Sequence, residues 1–103
     1  MNKYLGDLEA TIQDRKNKDP KESYVASLIK EKEKIISKIK EESEELAEAF
    51  RENDLRGIKH ESADLLFHLM VLLSEKNIAF DEVLLELKKR EGVSGHEEKK
   101  SRK

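Results

Sequence analysis

The sequence predicts an all-α fold, an antiparallel helical bundle of about four helices in a single domain. Apolar residues recur at intervals of three and four positions, the period of a helix face, and no stretch shows the alternation typical of a strand. One proline and four glycines stand among 103 residues, so few positions would end a helix. The domain is expected over residues 1–93, and a flexible charged tail over 94–103.

The first two helices are separated by a loop that contains the only proline. Apolar side chains from Tyr4 to Ile12 are spaced for a short first helix. Pro20 disfavours helix at the residue before it, and Ser23 is the next residue able to cap a helix. The second helix is therefore expected over about 24–51 as one uninterrupted segment.

Two further helices are expected in the second half of the chain. Asn53 or Asp54 can cap a third helix over about 58–75. A fourth should start after Phe80, with Asp81 as its N-cap and Gly92 as its stop. The apolar residues expected to face inward from this last helix are Val83, Leu84 and Leu87.

The middle of the third helix is apolar on nearly every side over residues 65–73. A helix that is apolar all round is buried all round. A chain of this length can hardly supply that cover alone, which favours a homodimer.

Composition excludes several classes of protein. Lys and Arg (21) nearly cancel Asp and Glu (23), so net charge predicts no attraction to nucleic acid or to a membrane. The absence of cysteine excludes disulfides, thiol nucleophiles and thiolate metal sites, and is compatible with a reducing compartment. No apolar segment is long enough to span a bilayer. A cytoplasmic protein is expected.

One acid of the second helix occupies a position that the apolar pattern would give to Leu or Ile. At about 100° per residue, Glu42 falls between Ile35 and Leu46 on the same helix face, and Glu45 lies at the edge of that face. A buried carboxylate without compensation would cost several kcal/mol. Glu42 is therefore singled out from the many solvated acids of the chain.

The third helix repeats this anomaly, because Glu61, Asp64 and His68 share one edge beside its apolar face. Helices joined by a short loop pack antiparallel, so this edge can face Glu42 and Glu45. Four converging carboxylates suit Mg²⁺, Mn²⁺ or Ca²⁺. A diiron centre is the weaker reading because it would use Glu-x-x-His pairs. The alternative is that these acids only pair with lysines such as Lys38.

The acidic motifs resemble those of the MazG-like all-α nucleotide pyrophosphatases. They are Glu41-Glu42-Ser43-Glu44-Glu45 and Glu61-Ser62-Ala63-Asp64. The flanking segments are similar to the phosphoribosyl-ATP pyrophosphatase family, and the resemblance covers nearly the whole chain. Those segments are 11–16, Pro20, Ser23-Tyr24, Lys34-Ile35, Lys38, 65–68, 87–90, 92–95 and 97–99.

The chain departs from the family's pattern at three positions. Lys32 and Lys40 stand where the family often has glycine, and both favour an uninterrupted second helix. Val25 replaces a frequent threonine, so a hydrogen bond expected from that hydroxyl is lost.

The resemblance implies hydrolysis of phosphoribosyl-ATP to phosphoribosyl-AMP and pyrophosphate, the second step of histidine biosynthesis. Mg²⁺, or Mn²⁺ in its place, would be held by Glu42, Glu45, Glu61 and Asp64. The catalytic residues expected beside the ion are Glu41 and Lys38. The expected substrate-binding residues are Arg15, Lys16, Ser23, Tyr24, Lys34, His68 and Arg90.

Two other functions remain open from the sequence. One is a related pyrophosphatase with broader specificity for nucleoside triphosphates, which need not carry the segment from Arg15 to Tyr24. The other is a helical interaction module without catalytic activity, in which the acids are only charged faces.

Overall fold

The computed structural model describes residues 2–91, which form five α-helices and no strand. The all-α prediction is confirmed. The predicted stop at Gly92 and the predicted tail over 94–103 lie outside the described residues. None of the five helices has the length and apolar character needed to cross a membrane. They are α1 (Lys3–Arg15), α2 (Tyr24–Lys30), α3 (Lys32–Arg51), α4 (Leu55–Glu75) and α5 (Phe80–Lys89).

Helices α3 and α4 form an antiparallel pair, as the short connection predicts. The connection contains only residues 52–54. At the far end of the pair, Lys32 Nζ lies 3.3 Å from Glu75 Oε1, and in its middle Glu42 Oε1 lies 2.7 Å from His68 Nδ1. Residues from the first half of α3 thus face the end of α4, and this register places the acidic motifs opposite each other.

The α3–α4 turn is built from the two residues expected to break the helix. Asn53 has a φ of 55°, a left-handed conformation that Asn tolerates better than most residues. The Asp54 side chain accepts a hydrogen bond of 3.0 Å from the Gly57 N–H, so Asp54 is the N-cap and α4 begins three residues before the predicted start. A Cβ on Gly57 would clash with the capping Asp54 carboxyl, whose Cγ would lie 2.9 Å away, and would lie 3.3 Å from the Ala49 side chain, so glycine permits the cap and the close approach of the two helices.

The predicted second helix is divided at Glu31, whose φ of −121° and ψ of 87° are not helical. Lys32 begins α3, so the prediction that Lys32 extends one uninterrupted helix is wrong. Local propensity favours helix throughout this segment, and tertiary packing overrides it. The break lets α2 contact α1 and α4 as well as α3, and it buries Leu28 completely while Ile35 stays in the core.

The hydrophobic core lies where α1 and α2 pack on the C-terminal half of α4. All the buried residues of α4 lie within residues 68–74. The acidic motifs therefore lie at the border between this core and the more exposed turn end of the α3–α4 pair. The core consists of Ile12, Val25, Leu28, Ile35, Met70, Val71, Leu73 and Phe80.

Helix α5 begins one residue earlier than its predicted cap. Ala79 is the N-cap, and its backbone N–H donates a 2.8 Å hydrogen bond to Glu82 Oε2. Asp81 lies inside the first turn, where a carboxylate is favourable near the helix N-terminus. The prediction that Asp81 is the N-cap is wrong.

The apolar face of α5 is only partly covered. Val83 packs against the core as predicted, but Leu84 is 37% exposed and Leu87 is 61% exposed, so their predicted inward orientation is wrong for this chain alone. The helix is held mainly at its start, where Phe80 is buried and its N–H donates a 2.7 Å hydrogen bond to Glu9 Oε2.

Candidate active site

Glu42 is buried on the face of α3 that packs against α4. Its exposed fraction is 6%, so the burial predicted from helical phase is confirmed. His68 of α4 lies opposite it, with Nδ1 at 2.7 Å from Glu42 Oε1. His68 therefore occupies a buried position in the α3–α4 interface that an aliphatic side chain would normally fill.

Further carboxylates meet beside Glu42 at the surface of the helix pair. The carboxyl of Glu45 is close enough to those of Glu61 and Glu41 to share hydrogen bonds with them. The contact with Glu61 is the main cause of a raised pKa for Glu45, and partial desolvation and the negative charges of Glu61 and Glu41 add to it. Negative charge is therefore concentrated between α3 and α4.

Two buried carboxylate oxygens in this cluster have no hydrogen-bond partner among residues 2–91. They are Glu42 Oε1 and Glu61 Oε1, one from each helix. A desolvated carboxylate oxygen without a hydrogen bond is unfavourable, and beside Glu42 Oε1 the only polar group described is His68 Nδ1 at 2.7 Å. Carboxylate oxygens bind hard divalent cations in preference to other metal ions. The residues present therefore fit a site for Mg²⁺ or Mn²⁺.

His60 lies beside two of the acids in a group that helical phase missed and that does not include Glu42 or Glu45. Ligand atoms of His60, Glu61 and Asp64 all lie within 4.8 Å of one another, and His60 Nε2 is 3.3 Å from Asp64 Oδ2. The spacing of four residues between His60 and Asp64 on one helix is the sequence signal for this pair. The imidazole is largely exposed, so it lies on the solvent side of the acids.

An aromatic ring and two lysines border the acids on the other side. The Tyr24 hydroxyl lies 2.8 Å from His68 Nε2, and Lys34 Nζ lies 5.8 Å from the Tyr24 ring centroid. Lys38 Nζ lies 3.6 Å from Glu41 Oε2, and the Glu41 charge is the main cause of a raised pKa for Lys38. Burial is the main cause of a raised pKa for the Tyr24 hydroxyl.

The Ser23 hydroxyl is occupied by local backbone groups. Ser23 is buried, and its Oγ accepts a 3.1 Å hydrogen bond from the Ala26 N–H while donating one of 3.2 Å to the Arg15 carbonyl oxygen. The predicted N-cap is confirmed. The Arg15 side chain is exposed at the end of α1. Substrate contacts by Ser23 and Arg15 stay predictions.

Two further predicted cations make contacts with groups other than the acids of the site. Lys16 Nζ donates hydrogen bonds of 3.0 Å to the Ser74 carbonyl oxygen and to Asn77 Oδ1, at the end of α4 about 15 Å along its axis from Asp64. It stabilises a helix C-terminus there. Arg90 follows α5 and donates a 3.3 Å hydrogen bond to Glu86 Oε1. The structure therefore places Lys16 away from the acids, and a substrate contact by Arg90 stays a prediction.

The sequence of this chain is similar to those of known proteins over nearly its whole length. A sequence model described as phosphoribosyl-ATP pyrophosphohydrolase matches residues 5–91. A phosphoribosyl-ATP pyrophosphatase of Novosphingobium aromaticivorans is 52% identical, over 95% of this chain and 92% of the relative. One of Rhizorhabdus wittichii is 50% identical over 95% and 93%, and one of Nitrosospira multiformis is 47% identical over 93% and 80%. The matched region includes every acid of the cluster.

Proposed function

Since the chain belongs to the phosphoribosyl-ATP pyrophosphohydrolase family, we propose that it hydrolyses phosphoribosyl-ATP to phosphoribosyl-AMP and pyrophosphate, the second step of histidine biosynthesis. The observation that carries this proposal is that two buried carboxylate oxygens inside the matched region, Glu42 Oε1 and Glu61 Oε1, accept no hydrogen bond from residues 2–91. The cysteine-free sequence is compatible with the cytoplasm, where we place the reaction.

We propose Mg²⁺ as the cofactor, with Mn²⁺ as a substitute, held by Glu42, Glu45, Glu61 and Asp64. The support comes from Glu42 Oε1 and Glu61 Oε1, which accept no hydrogen bond from residues 2–91. Further support comes from the nearby carboxylates, mainly Glu61, that raise the pKa of Glu45. When bound, the ion supplies positive charge to the phosphate oxygens of the substrate. His60, which lies against Asp64, would orient that carboxylate from the solvent side.

The residues beside the acids have roles that follow from their charges. The reaction forms a bond between water oxygen and phosphorus and breaks the bond to the departing pyrophosphate. Glu41 accepts the proton of the attacking water in this proposal, because its carboxylate lies at the exposed edge of the cluster. Lys38 and Lys34, on the same helix, offset negative charge on the triphosphate.

Pyrophosphate release by the purified chain with Mg²⁺ tests the proposed reaction. We expect equal amounts of pyrophosphate and phosphoribosyl-AMP from phosphoribosyl-ATP. A set of nucleoside triphosphates that includes dUTP, assayed at the same concentration, should react far more slowly. Preference for one of them would assign the chain to the broader pyrophosphatases. Release from none of the substrates would favour an interaction module.

We also propose that the chain forms a homodimer, because large apolar side chains stay exposed in the single chain. Phe50 is 75% exposed and Leu55 66% at the α3–α4 turn, while Leu85 is 57% and Leu87 61% exposed on α5. Burying four such side chains would stabilise a dimer by several kcal/mol, at about 1.5–3 kcal/mol for each. Sedimentation equilibrium at micromolar concentration should give twice the chain mass. A mass equal to one chain would contradict the dimer.

A further inference from the structure

We infer that Tyr24 and His68 are positioning residues, which hold the Glu42 carboxylate for the cation. The inference rests on the proposed function, since it takes Glu42 as a cation ligand. It replaces the expectation that His68 binds the substrate, because His68 is buried. The observation that supports the inference is a continuous set of short contacts from Tyr24 through His68 to Glu42.

The hydrogen-bond partners of His68 determine which ring nitrogen carries the hydrogen. Nδ1 lies 2.9 Å from the Asp64 carbonyl oxygen, which can only accept, so Nδ1 must carry an N–H. In the neutral imidazole Nε2 is then an acceptor, and the Tyr24 hydroxyl, 2.8 Å away, donates to it. The Tyr24 hydroxyl thus favours the form of the ring that carries the N–H on Nδ1.

That N–H is the polar group nearest to the buried end of Glu42. Nδ1 lies 2.7 Å from Glu42 Oε1, although its hydrogen is directed to the Asp64 carbonyl and Oε1 receives no hydrogen bond from residues 2–91. The positive edge of the ring therefore attracts the carboxylate electrostatically. With the hydrogen on Nε2 instead, the Nδ1 lone pair would face Oε1 and repel it.

Packing leaves His68 little freedom and keeps the substrate away from it. The His68 side chain is 7% exposed. The Phe67 ring lies edge-on at a centroid distance of 5.1 Å, and the Tyr24 ring lies edge-on at 5.8 Å. Both nitrogens of His68 are already engaged. An effect of His68 on catalysis must therefore pass through Glu42, through Tyr24 or through the backbone at Asp64.

Conservative variants separate this role from simple filling of space. The amide nitrogen of His68→Asn can take the place of Nδ1, whereas that of His68→Gln reaches the place of Nε2 and leaves no N–H group beside Glu42 Oε1. Tyr24→Phe keeps the ring packing and removes only the hydroxyl. Tyr4→Phe is the matched control, because Tyr4 is 81% exposed at the start of α1.

Mn²⁺ titration followed by electron paramagnetic resonance, without substrate, tests the inference. Loss of a group that orients a metal ligand typically weakens metal binding by about 10–100-fold. We expect a weakening in this range for Tyr24→Phe and His68→Gln, binding within about threefold of the parent for His68→Asn, and no change for Tyr4→Phe. If the His68 variants do not fold, Tyr24→Phe decides the question alone.

Two results would overturn the inference while leaving the proposed function intact. One is parent-like Mn²⁺ binding by Tyr24→Phe and His68→Gln. The other is equally weak binding by His68→Asn and His68→Gln, which would show that the shape of the ring matters and the Nδ1 donor does not. A parent protein that binds no Mn²⁺ would overturn the proposed cation site and this inference together.

Discussion

Glu42→Gln is expected to reduce pyrophosphate release from phosphoribosyl-ATP by about 10³-fold, the scale on which loss of one stabilising group in an active site acts. The substitution keeps the shape of a side chain that is 6% exposed and removes its negative charge. A neutral amide is a poor ligand for Mg²⁺ compared with a carboxylate. The loss should therefore appear in kcat/KM and in the Mg²⁺ concentration that the enzyme requires.

The same variant should fold as well as the parent. A buried carboxylate oxygen that accepts no hydrogen bond is unfavourable in the absence of a cation, and the amide oxygen of Gln can keep the contact with His68 Nδ1. We therefore expect the unfolding midpoint in urea to be unchanged or raised. Glu44→Gln is the matched control, because Glu44 is exposed on the same helix. Near-parental activity in Glu42→Gln would remove Glu42 from the site. Equal losses in both variants would point to a general effect of charge.

Removal of divalent cations with a chelator is expected to abolish pyrophosphate release by the parent protein. The residues at the centre of the site are acidic, and by themselves they would repel a triphosphate. Added Mg²⁺ or Mn²⁺ should restore the activity completely. The same ions should raise the melting temperature of the parent, because they bind only the folded chain, and should have little effect on that of Glu42→Gln. Full activity in the presence of chelator would contradict the proposed cofactor.

The burial of Glu42 could be predicted from the sequence because both helices beside it are long and regular. Helical phase placed Glu42 on an apolar face, and its 6% exposure agrees. The short turn at Asn53 and Asp54 then determined that α3 and α4 are antiparallel, which brings Glu61 opposite Glu45. Local periodicity and a short loop are sufficient to define this part of the site.

The break at Glu31 could not be predicted, because the residues around it all favour helix. It depends on long-range packing of α2 against α1 and α4. This break has a consequence for the site, since α2 begins at Tyr24 and its position brings the Tyr24 hydroxyl to His68. Similarly, the placement of Lys16 beside Ser74 depends on how α1 packs against α4, a contact between residues far apart in sequence.

The exposure of Leu84 and Leu87 on α5 differs from the sequence prediction for another reason. Their spacing predicts an inward face, and the contacts within one chain cover only Val83 of that face. Leu84 and Leu87 stay exposed. An apolar helix face that one chain leaves exposed can be buried against a second chain. We therefore expect the proposed dimer to cover Leu84 and Leu87.

Anomalous diffraction from crystals grown with Mn²⁺ tests the central claim most directly, because it locates the ion without reference to activity. The predicted result is an anomalous peak between α3 and α4, in contact with carboxylate oxygens of Glu42, Glu45, Glu61 and Asp64. A peak bound only by other residues, or none at these acids at millimolar Mn²⁺, would contradict the claim.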